Sequence, residues 1–159
     1  MVIKLLSQPA PSPKTYGKSY SLATHLEKRA SLRILVADDH ESVRKGVCVI
    51  LATRGDIEVC GEASNGREAI DKALELRPDL VILDITMPVL NGIDAAEVIR
   101  RTLPHVPILF LSMHQGRQII AEAKRIGVRG YVRKSDAAAT LLNAVDALLR
   151  DEPFFPEDL

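Results

Sequence analysis

The chain has 159 residues, which is the length of one ordinary domain with some additional tail. Its 21 basic and 21 acidic side chains cancel, so no net field attracts nucleic acid or an anionic membrane, and we expect no direct DNA binding by this chain. No apolar run is long enough for a transmembrane helix or the core of a signal peptide, which predicts a cytoplasmic protein without a membrane partner.

The first 31 residues differ in character from the rest of the chain. Prolines alternate there with small residues, and little apolar periodicity follows apart from a two-turn helical pattern near residues 19–30. We therefore predict a flexible N-terminal extension over residues 1–31 and one folded domain over residues 32–150. Residues 151–159 are predicted to be a C-terminal tail or the start of a linker.

From Leu32 onward, short apolar runs alternate five times with amphipathic stretches, a pattern typical of βα units that build a parallel sheet. The predicted strands are Ile34–Ala37, Ile57–Val59, Leu80–Leu83, Ile108–Leu111 and Tyr131–Val132. The first, third and fourth runs are continuously apolar, which suits central strands, whereas the alternating second and the short fifth suit the edges. We therefore predict an α/β fold with a flavodoxin-like, doubly wound parallel sheet in the order 2-1-3-4-5 and helices on both faces.

Two helix ends are also marked in the sequence. Asn65 followed by Glu68 resembles a capping box at the start of the second helix, and Gly127 is placed to end the fourth. The apolar stripes on the helices are interpreted as surfaces that face the core.

The residues directly after the strands carry the information about function. In an open α/β sheet, ligands bind beyond the carboxyl ends of the strands, at the point where the strand order reverses. Polar side chains follow four of the predicted strands at this end, and they are Asp38 with Asp39, Asp84, Ser112 and Lys134. The sequence therefore predicts a polar site at this rim of the sheet.

Three carboxylates at one rim repel each other, and a hard divalent cation with oxygen ligands is the usual means of keeping them ionised. Magnesium suits this role, because it binds through one or two carboxylates together with phosphate oxygens of a ligand. Lys134 would neutralise a phosphate oxygen, and the Ser112 hydroxyl would donate a hydrogen bond to another. The pattern therefore indicates a Mg²⁺ site that receives a phosphate-bearing ligand.

Each of these residues has a purely structural explanation when it is considered alone. An acidic pair can simply cap a helix, a serine can form a local turn and a lysine can be a surface charge. Asp84 is harder to explain in that way, because a carboxylate directly after four apolar residues loses solvation unless another group binds it. The joint position of these residues at four strand ends favours a functional site.

Three segments at these positions resemble the receiver domains of bacterial two-component response regulators. Leu35–His40 is similar to the acidic-pair motif of that family, and Asp84–Gly92 fits its phosphoacceptor signature D-x-x-M-P-x-x-x-G. Gly130–Lys134 resembles the segment that carries the lysine of the family. The resemblance covers about residues 32–150 and implies a CheY-like fold with a role in phosphorelay signal transduction.

Three further segments resemble the NarL/FixJ group, whose members carry LuxR-type helix-turn-helix outputs in transcription regulation. They are Gly61–Gly66, Leu111–His114 and Phe154–Glu157. The resemblance implies that the receiver controls an output partner or domain. It also suggests a homodimer, through the first and fifth helices or through the face of the fourth and fifth helices.

The resemblance implies that Asp84 is the phosphoacceptor, a nucleophile that takes a phosphoryl group from a sensor histidine kinase or a phosphotransfer protein. Asp84 and Asp39 would ligate Mg²⁺ directly. Asp38 would act mainly through water, and the backbone carbonyl of Thr86 would complete the protein ligands. Such a protein is a signalling switch and not an enzyme, although it takes part in its own phosphoryl transfer and autodephosphorylation.

The resemblance also assigns the residues that respond to phosphorylation. Lys134 would pair with Asp84 before phosphorylation and with the phosphoryl group afterwards. Ser112 would move to bond a phosphoryl oxygen, and Tyr131 would swing inward behind it. The change would remodel the face made by the fourth helix, the fifth strand and the fifth helix.

Other classes of protein fit the sequence less well. An aspartyl phosphatase of the haloacid dehalogenase type would need an acid two residues after its nucleophile, where Thr86 stands. A nucleotide-binding module would need G-x-x-x-x-G-K-[ST], or G-x-G-x-x-G after the first strand, and the sequence has neither. The main alternative is a receiver that acts as a phosphorylation-independent protein-interaction module. Such proteins usually lose an acid or the lysine, and this chain keeps them all.

Overall fold

Strands and helices alternate along the chain in a computed structural model that describes residues 31–114 and 116–157. The elements are β1 (Leu32–Ala37), α1 (Glu41–Ala52), β2 (Ile57–Ala63), α2 (Gly66–Leu76), β3 (Leu80–Leu83), α3 (Gly92–Thr102), β4 (Ile108–Ser112), α4 (Arg117–Arg125), β5 (Gly130–Arg133) and α5 (Ala137–Leu149). A single 3₁₀ turn over Lys134–Asp136 joins β5 to α5. Residues 1–30 of the predicted N-terminal extension, with the helical pattern near residues 19–30, lie outside the described residues. None of the described helices has the length and apolar character needed to cross a bilayer.

The strands form one parallel sheet in the order β2-β1-β3-β4-β5, so the predicted topology is confirmed. Every residue of β3 and β4 is buried, because helices cover both faces of these central strands. On β2, at the edge, most residues are only partly buried. The strand order reverses between β1 and β3, which opens a crevice beyond their carboxyl ends.

The core has two layers, one on each face of the sheet. Alternate strand residues supply opposite layers, so Leu35 contributes to one and Val36 to the other. The first layer packs against the apolar faces of α2, α3 and α4, and the second packs against those of α1 and α5. Helices α1 and α5 therefore lie together on one side of the sheet.

The start of α2 is capped by side chains from both directions. The Asn65 side chain accepts a hydrogen bond from the Glu68 amide at 2.9 Å, as the capping-box pattern predicts. The Glu68 carboxylate reaches back to the Ser64 amide at 2.8 Å, one residue before the position that the motif specifies. Glu68 also pairs with Lys72 one turn along the helix, at 2.7 Å.

Gly127 ends α4, as the sequence predicts. Its φ of 84° lies in the left-handed region that glycine adopts without strain. The Gly127 amide donates to the Lys124 carbonyl at 3.1 Å, and the Val128 amide donates to the Ala123 carbonyl at 2.9 Å. This is the Schellman arrangement, which satisfies the last carbonyls of a helix.

The segment after α5 returns to the sheet. Phe154 forms a parallel bridge with Gly130 on β5, and its carbonyl accepts a hydrogen bond from the Tyr131 amide at 2.7 Å. Part of the stretch predicted as a tail is therefore in backbone contact with the domain.

Candidate functional site

The topology brings the predicted polar residues together beyond four strand ends. Asp38 follows β1, Asp84 follows β3, Ser112 ends β4 and Lys134 follows β5. Asp38, Asp84 and Ser112 are the buried polar residues of the described chain, with 2%, 4% and 0% of their surface exposed. Burying two carboxylates costs solvation free energy unless they are paired, so the site must contain compensating groups.

Lys134 supplies the compensating charge. Its Nζ lies 2.6 Å from Oδ2 of Asp38 and 3.3 Å from Oδ2 of Asp84. The resemblance implied a pair with Asp84, and the ammonium in fact contacts both carboxylates. Because all three side chains are largely buried, water screens these interactions less than it would at the surface.

The carboxylates and the lysine change one another's acidity. Burial raises the pKa of Asp84, and the nearby Asp38 charge raises it further, while Lys134 opposes both effects. Burial by itself would lower the pKa of Lys134, but its contacts with Asp38 and Asp84 outweigh burial and leave the pKa raised. Lys134 therefore stays protonated, and it holds an otherwise unfavourable pair of carboxylates in place.

The acidic pair after β1 is oriented by the residue that follows it. The His40 amide donates to Oδ1 of Asp38 at 2.8 Å, and its Nδ1 lies 3.0 Å from Oδ1 of Asp39. Asp38 is buried, whereas the Asp39 side chain is 29% exposed and so remains accessible to a ligand. The sequence motif that includes His40 assigns it no role, because the contacts of His40 depend on the geometry of the turn after β1.

A metal ion would fit among these residues. Asp38, Asp39, His40 and Asp84 each place one ligand atom within 4.8 Å of the others. Three of the four offer carboxylate oxygens, the ligand type that Mg²⁺ prefers. The donor set is therefore consistent with the predicted magnesium site, and His40 adds a nitrogen at its exposed side.

The side chains of Thr86 and His114 are in contact beside the site. The Thr86 hydroxyl lies 2.6 Å from Nε2 of His114, which belongs to the loop between β4 and α4. This contact involves the side chain of Thr86, and the ligand role of its backbone carbonyl stays a prediction. The contact links the loop after β3 with the loop after β4.

Ser112 and Tyr131 connect the site with β5. The Ser112 Oγ accepts a hydrogen bond from the His114 amide at 3.1 Å, and the Tyr131 hydroxyl donates to the His114 carbonyl at 2.6 Å. Tyr131 is fully buried, and its inward swing on phosphorylation stays a prediction. Burial raises the pKa of Tyr131, and a hydrogen bond with Ser112 opposes that shift.

Gly92 explains the end of the D-x-x-M-P-x-x-x-G signature. A Cβ at this position would lie 1.9 Å from the backbone oxygen of Asp84, so no larger residue fits without moving the end of β3. The Gly92 amide donates to the Ile85 carbonyl at 2.8 Å. The start of α3 is therefore packed directly on the backbone that carries Asp84.

Comparison with known proteins agrees with this geometry. Residues 34–146 match the model of the response regulator receiver domain family. The transcriptional regulatory protein LnrK of Bacillus subtilis is 40% identical over 114 residues, which cover 72% of this chain and 52% of that protein. A LuxR-family two-component response regulator from Aurantimonas sp. has a similar crystal structure, with a TM-score of 0.77 at 35% identity over 80% of this chain and 91% of the other. The receiver domain of a putative response regulator NarL from Mycobacterium tuberculosis has a TM-score of 0.72 at 29% identity, over 76% and 97% of the two chains.

The chain therefore belongs to the response regulator receiver domain family. It functions as a receiver domain of a two-component signal transduction system, and its structural neighbours include regulators of the LuxR and NarL types. The match spans about half the length of LnrK.

Proposed function

We propose that Asp84 accepts a phosphoryl group from a sensor histidine kinase or a phosphotransfer protein, and that this modification switches the conformation of the domain. The observation that carries the proposal is the position of the Asp84 carboxylate. It is buried at the end of a central strand, 3.3 Å from Lys134, and its crevice is also bordered by Asp38, Asp39 and Ser112.

The transfer needs a nucleophile and a means of neutralising charge. A carboxylate oxygen of Asp84 attacks the phosphorus, a P–O bond forms, and the P–N bond to the donor imidazole breaks with its electron pair remaining on the nitrogen. Lys134 neutralises negative charge on the phosphoryl oxygens, for which it is already placed beside Asp84. No oxidant, reductant or further co-reactant is required.

We propose that Asp39 and Asp84 hold Mg²⁺ directly, with Asp38 acting mainly through water and the Thr86 backbone carbonyl completing the protein ligands. When bound, the ion would neutralise charge on the phosphoryl group and orient it for in-line attack. The engagement of Asp38 by Lys134 and by the His40 amide supports its less direct role.

The proposed switch consists of Ser112 and Tyr131. After transfer, the Ser112 hydroxyl would donate to a phosphoryl oxygen, and Tyr131 would be stabilised in the inward position. The two residues already share the His114 backbone as a hydrogen-bonding partner, which supports their coupling. The response would reach the face made by α4, β5 and α5, where an output domain or partner could detect it.

The same proposal gives the chain a role as a signalling switch and not as an enzyme on free substrates. It places the protein in the cytoplasm, where ATP-dependent kinases operate. We also propose that this receiver controls a DNA-binding output of the LuxR type, because the chain is similar to the LuxR-family regulator from Aurantimonas sp..

The proposal is tested by incubating the protein with Mg²⁺ and acetyl phosphate and measuring the intact mass. We expect one phosphoryl group per chain, and none on Asp84→Asn. Asp71→Asn is a matched control, because Asp71 is an exposed acid on α2 and should leave labelling unchanged. A wild-type protein that binds no phosphoryl group, yet binds a partner, would instead support the interaction-module alternative.

A further inference from the structure

Residues 151–156, which follow α5, form a segment that we call the C-terminal strap. A hydrogen-bonded turn directs the strap back to the sheet. The Glu152 amide donates to the Ala147 carbonyl at 2.9 Å, and Asp151 has a φ of 61°. Arg129, just before β5, holds the turn from outside. Its guanidinium donates to Oδ1 of Asp151 at 2.8 Å and to the Asp151 carbonyl at 2.5 Å. The direction of the strap is therefore set by specific contacts.

Phe154 lies along the outer edge of β5. Its carbonyl accepts from the Tyr131 amide at 2.7 Å, and its amide donates to the Arg129 carbonyl at 2.9 Å. Its ring packs against one core layer, and that of Phe155 packs against the layer that contains Tyr131. The Lys124 ammonium, near the end of α4, lies 4.6 Å from the centroid of the Phe155 ring. The strap therefore contacts α4, β5 and α5.

Tyr131 links this strap to the candidate phosphorylation site. Its backbone amide contacts Phe154, while its hydroxyl contacts the His114 carbonyl. The His114 amide in turn donates to Ser112. A continuous series of hydrogen bonds thus runs from the strap, through one fully buried ring, to the residue expected to contact a phosphoryl group.

We propose that the strap positions the phosphorylation site. The Phe154 ring anchors the strap on one core layer, and the Phe154 carbonyl fixes the backbone of β5 at Tyr131. The Tyr131 hydroxyl in turn fixes the His114 carbonyl close to Ser112. This inference rests on the proposed function of Asp84. It adds that the strap, and any chain attached beyond it, is coupled to the phosphorylation state through Tyr131.

Coupling of this kind is reciprocal. If a docked strap favours the phosphorylated conformation, then phosphorylation must favour a docked strap by the same factor. The shared element is one backbone hydrogen bond and the packing of a ring, which corresponds to about a threefold to tenfold change in an equilibrium constant. A change of that size can be measured both in the docking of the strap and in the affinity of the phosphorylation site.

The first test follows amide exchange in the full chain, with and without beryllofluoride and Mg²⁺. The informative amides are those of Tyr131 and Phe154, which form the backbone hydrogen bonds between Phe154 and the segment 129–131. We expect both to exchange about three to ten times more slowly with beryllofluoride bound. Unchanged or faster exchange at Phe154, with beryllofluoride demonstrably bound, would overturn the inference while leaving the proposed function intact.

The second test compares beryllofluoride and Mg²⁺ affinities in Phe154→Ala. The substitution removes the ring that anchors the strap and leaves the backbone groups that bond to Arg129 and Tyr131, so the strap docks less often. We expect a beryllofluoride affinity weaker by about threefold to tenfold. The Mg²⁺ affinity should not change, because none of the contacts that the three aspartates of the site make among the described residues involves the strap. Phe154→Leu should restore most of the loss, and Leu74→Ala, which removes an exposed apolar side chain on α2, should cause none. Equal loss of both affinities would indicate a merely structural role and overturn the inference.

A wild-type protein that fails to bind beryllofluoride would be evidence against the proposed function and not only against the coupling. In that case the proposed function itself fails, and the coupling inferred from it fails as well. The exchange measurement needs no variant, so the inference remains testable even if Phe154→Ala does not fold.

Discussion

Lys134 contacts Asp38 and Asp84 at once, and this arrangement distributes one positive charge over two buried carboxylates. A buried pair that loses one partner is strongly destabilised, because the remaining charge has neither water nor a counterion. The third acid, Asp39, is more exposed and makes no contact with Lys134 among the described ion pairs. The three acids therefore have different environments, and the affinity for a cation should depend on each of them to a different degree.

Magnesium binding should depend more on Asp39 than on Asp38. Asp39→Ala removes an accessible carboxylate, and we expect at least about a tenfold loss of Mg²⁺ affinity in a calorimetric titration. Asp38→Ala should cost less affinity, although it should also destabilise the fold, because Lys134 loses its 2.6 Å contact with Asp38 and keeps only the 3.3 Å contact with Asp84. Asp71→Ala on α2 serves as the control. Equal affinities in wild type and Asp39→Ala would rule out the proposed ligand set.

At the level of elements, the starts of α2 and α3 are packed closely on the end of β3 and on the loop that follows it. Gly92 begins α3 against the Asp84 backbone, and Gly66 begins α2 against the Leu90 carbonyl, to which its amide donates at 2.9 Å. Neither glycine has a positive φ within the described backbone, so close approach explains both. The position of Asp84 therefore depends on how α2 and α3 dock.

Gly92→Ala should be destabilising, because its Cβ would lie 1.9 Å from the Asp84 carbonyl oxygen. We expect a loss of about 2 to 4 kcal/mol in the free energy of unfolding, measured with urea. Gly46→Ala is the matched control: it lies inside α1, and its Cβ would meet nothing within 4 Å. That change should stabilise the protein by about 0.5 to 1 kcal/mol. A neutral Gly92→Ala would show that the loop after β3 can move freely.

Glu68 should stabilise α2 in a pH-dependent manner. Its contacts with Lys72 and with the Ser64 amide lower its pKa to about 2. A carboxylate with a lowered pKa stabilises the fold above its unfolded-state value, near pH 4.5, and this contribution is lost as the pH falls towards about 2. Because the side chain is 36% exposed, we expect only about 1 kcal/mol at pH 7.

The measurement is the difference in unfolding free energy between wild type and Glu68→Gln at several pH values. The difference should be largest at pH 7 and shrink steadily below about pH 5. Glu75→Gln, an exposed acid on the same helix, should show a much smaller difference. A Glu68→Gln difference that is the same at pH 7 and pH 3 would contradict the proposed cap.

For the molecule as a whole, periodicity and strand-end chemistry were enough to predict the sheet order and the grouping of Asp38, Asp84, Ser112 and Lys134. Contacts that depend on the detailed course of a loop could not be predicted. His40 orients the acidic pair and His114 bonds to Thr86, yet neither contact follows from spacing alone. The strap was missed because a short segment with prolines on either side of two phenylalanines has no strand periodicity. Its two adjacent aromatic residues were the available signal.

We propose that the protein forms a homodimer through α1 and α5. These helices lie on the same side of the sheet, and each exposes a large apolar side chain, Val49 and Leu149. The strap already occupies the edge of β5, which makes the face of α4 and α5 the less accessible candidate. Val49→Glu should shift the protein towards the monomer in light scattering with beryllofluoride present. Val98→Glu on α3 should not shift the protein towards the monomer. A wild-type protein that is monomeric both with and without beryllofluoride would refute the proposal.

Mapping the modified residue shows whether Asp84 carries the phosphoryl group. After incubation with acetyl phosphate and Mg²⁺, borohydride reduces an acyl phosphate to the alcohol, so a phosphorylated aspartate becomes homoserine. Peptide mass spectrometry should find homoserine at position 84 and at no other acid of the site. Reduction at Asp38 or Asp39, or a labelled protein in which Asp84 is unmodified, would rule out Asp84 as the single site of phosphorylation.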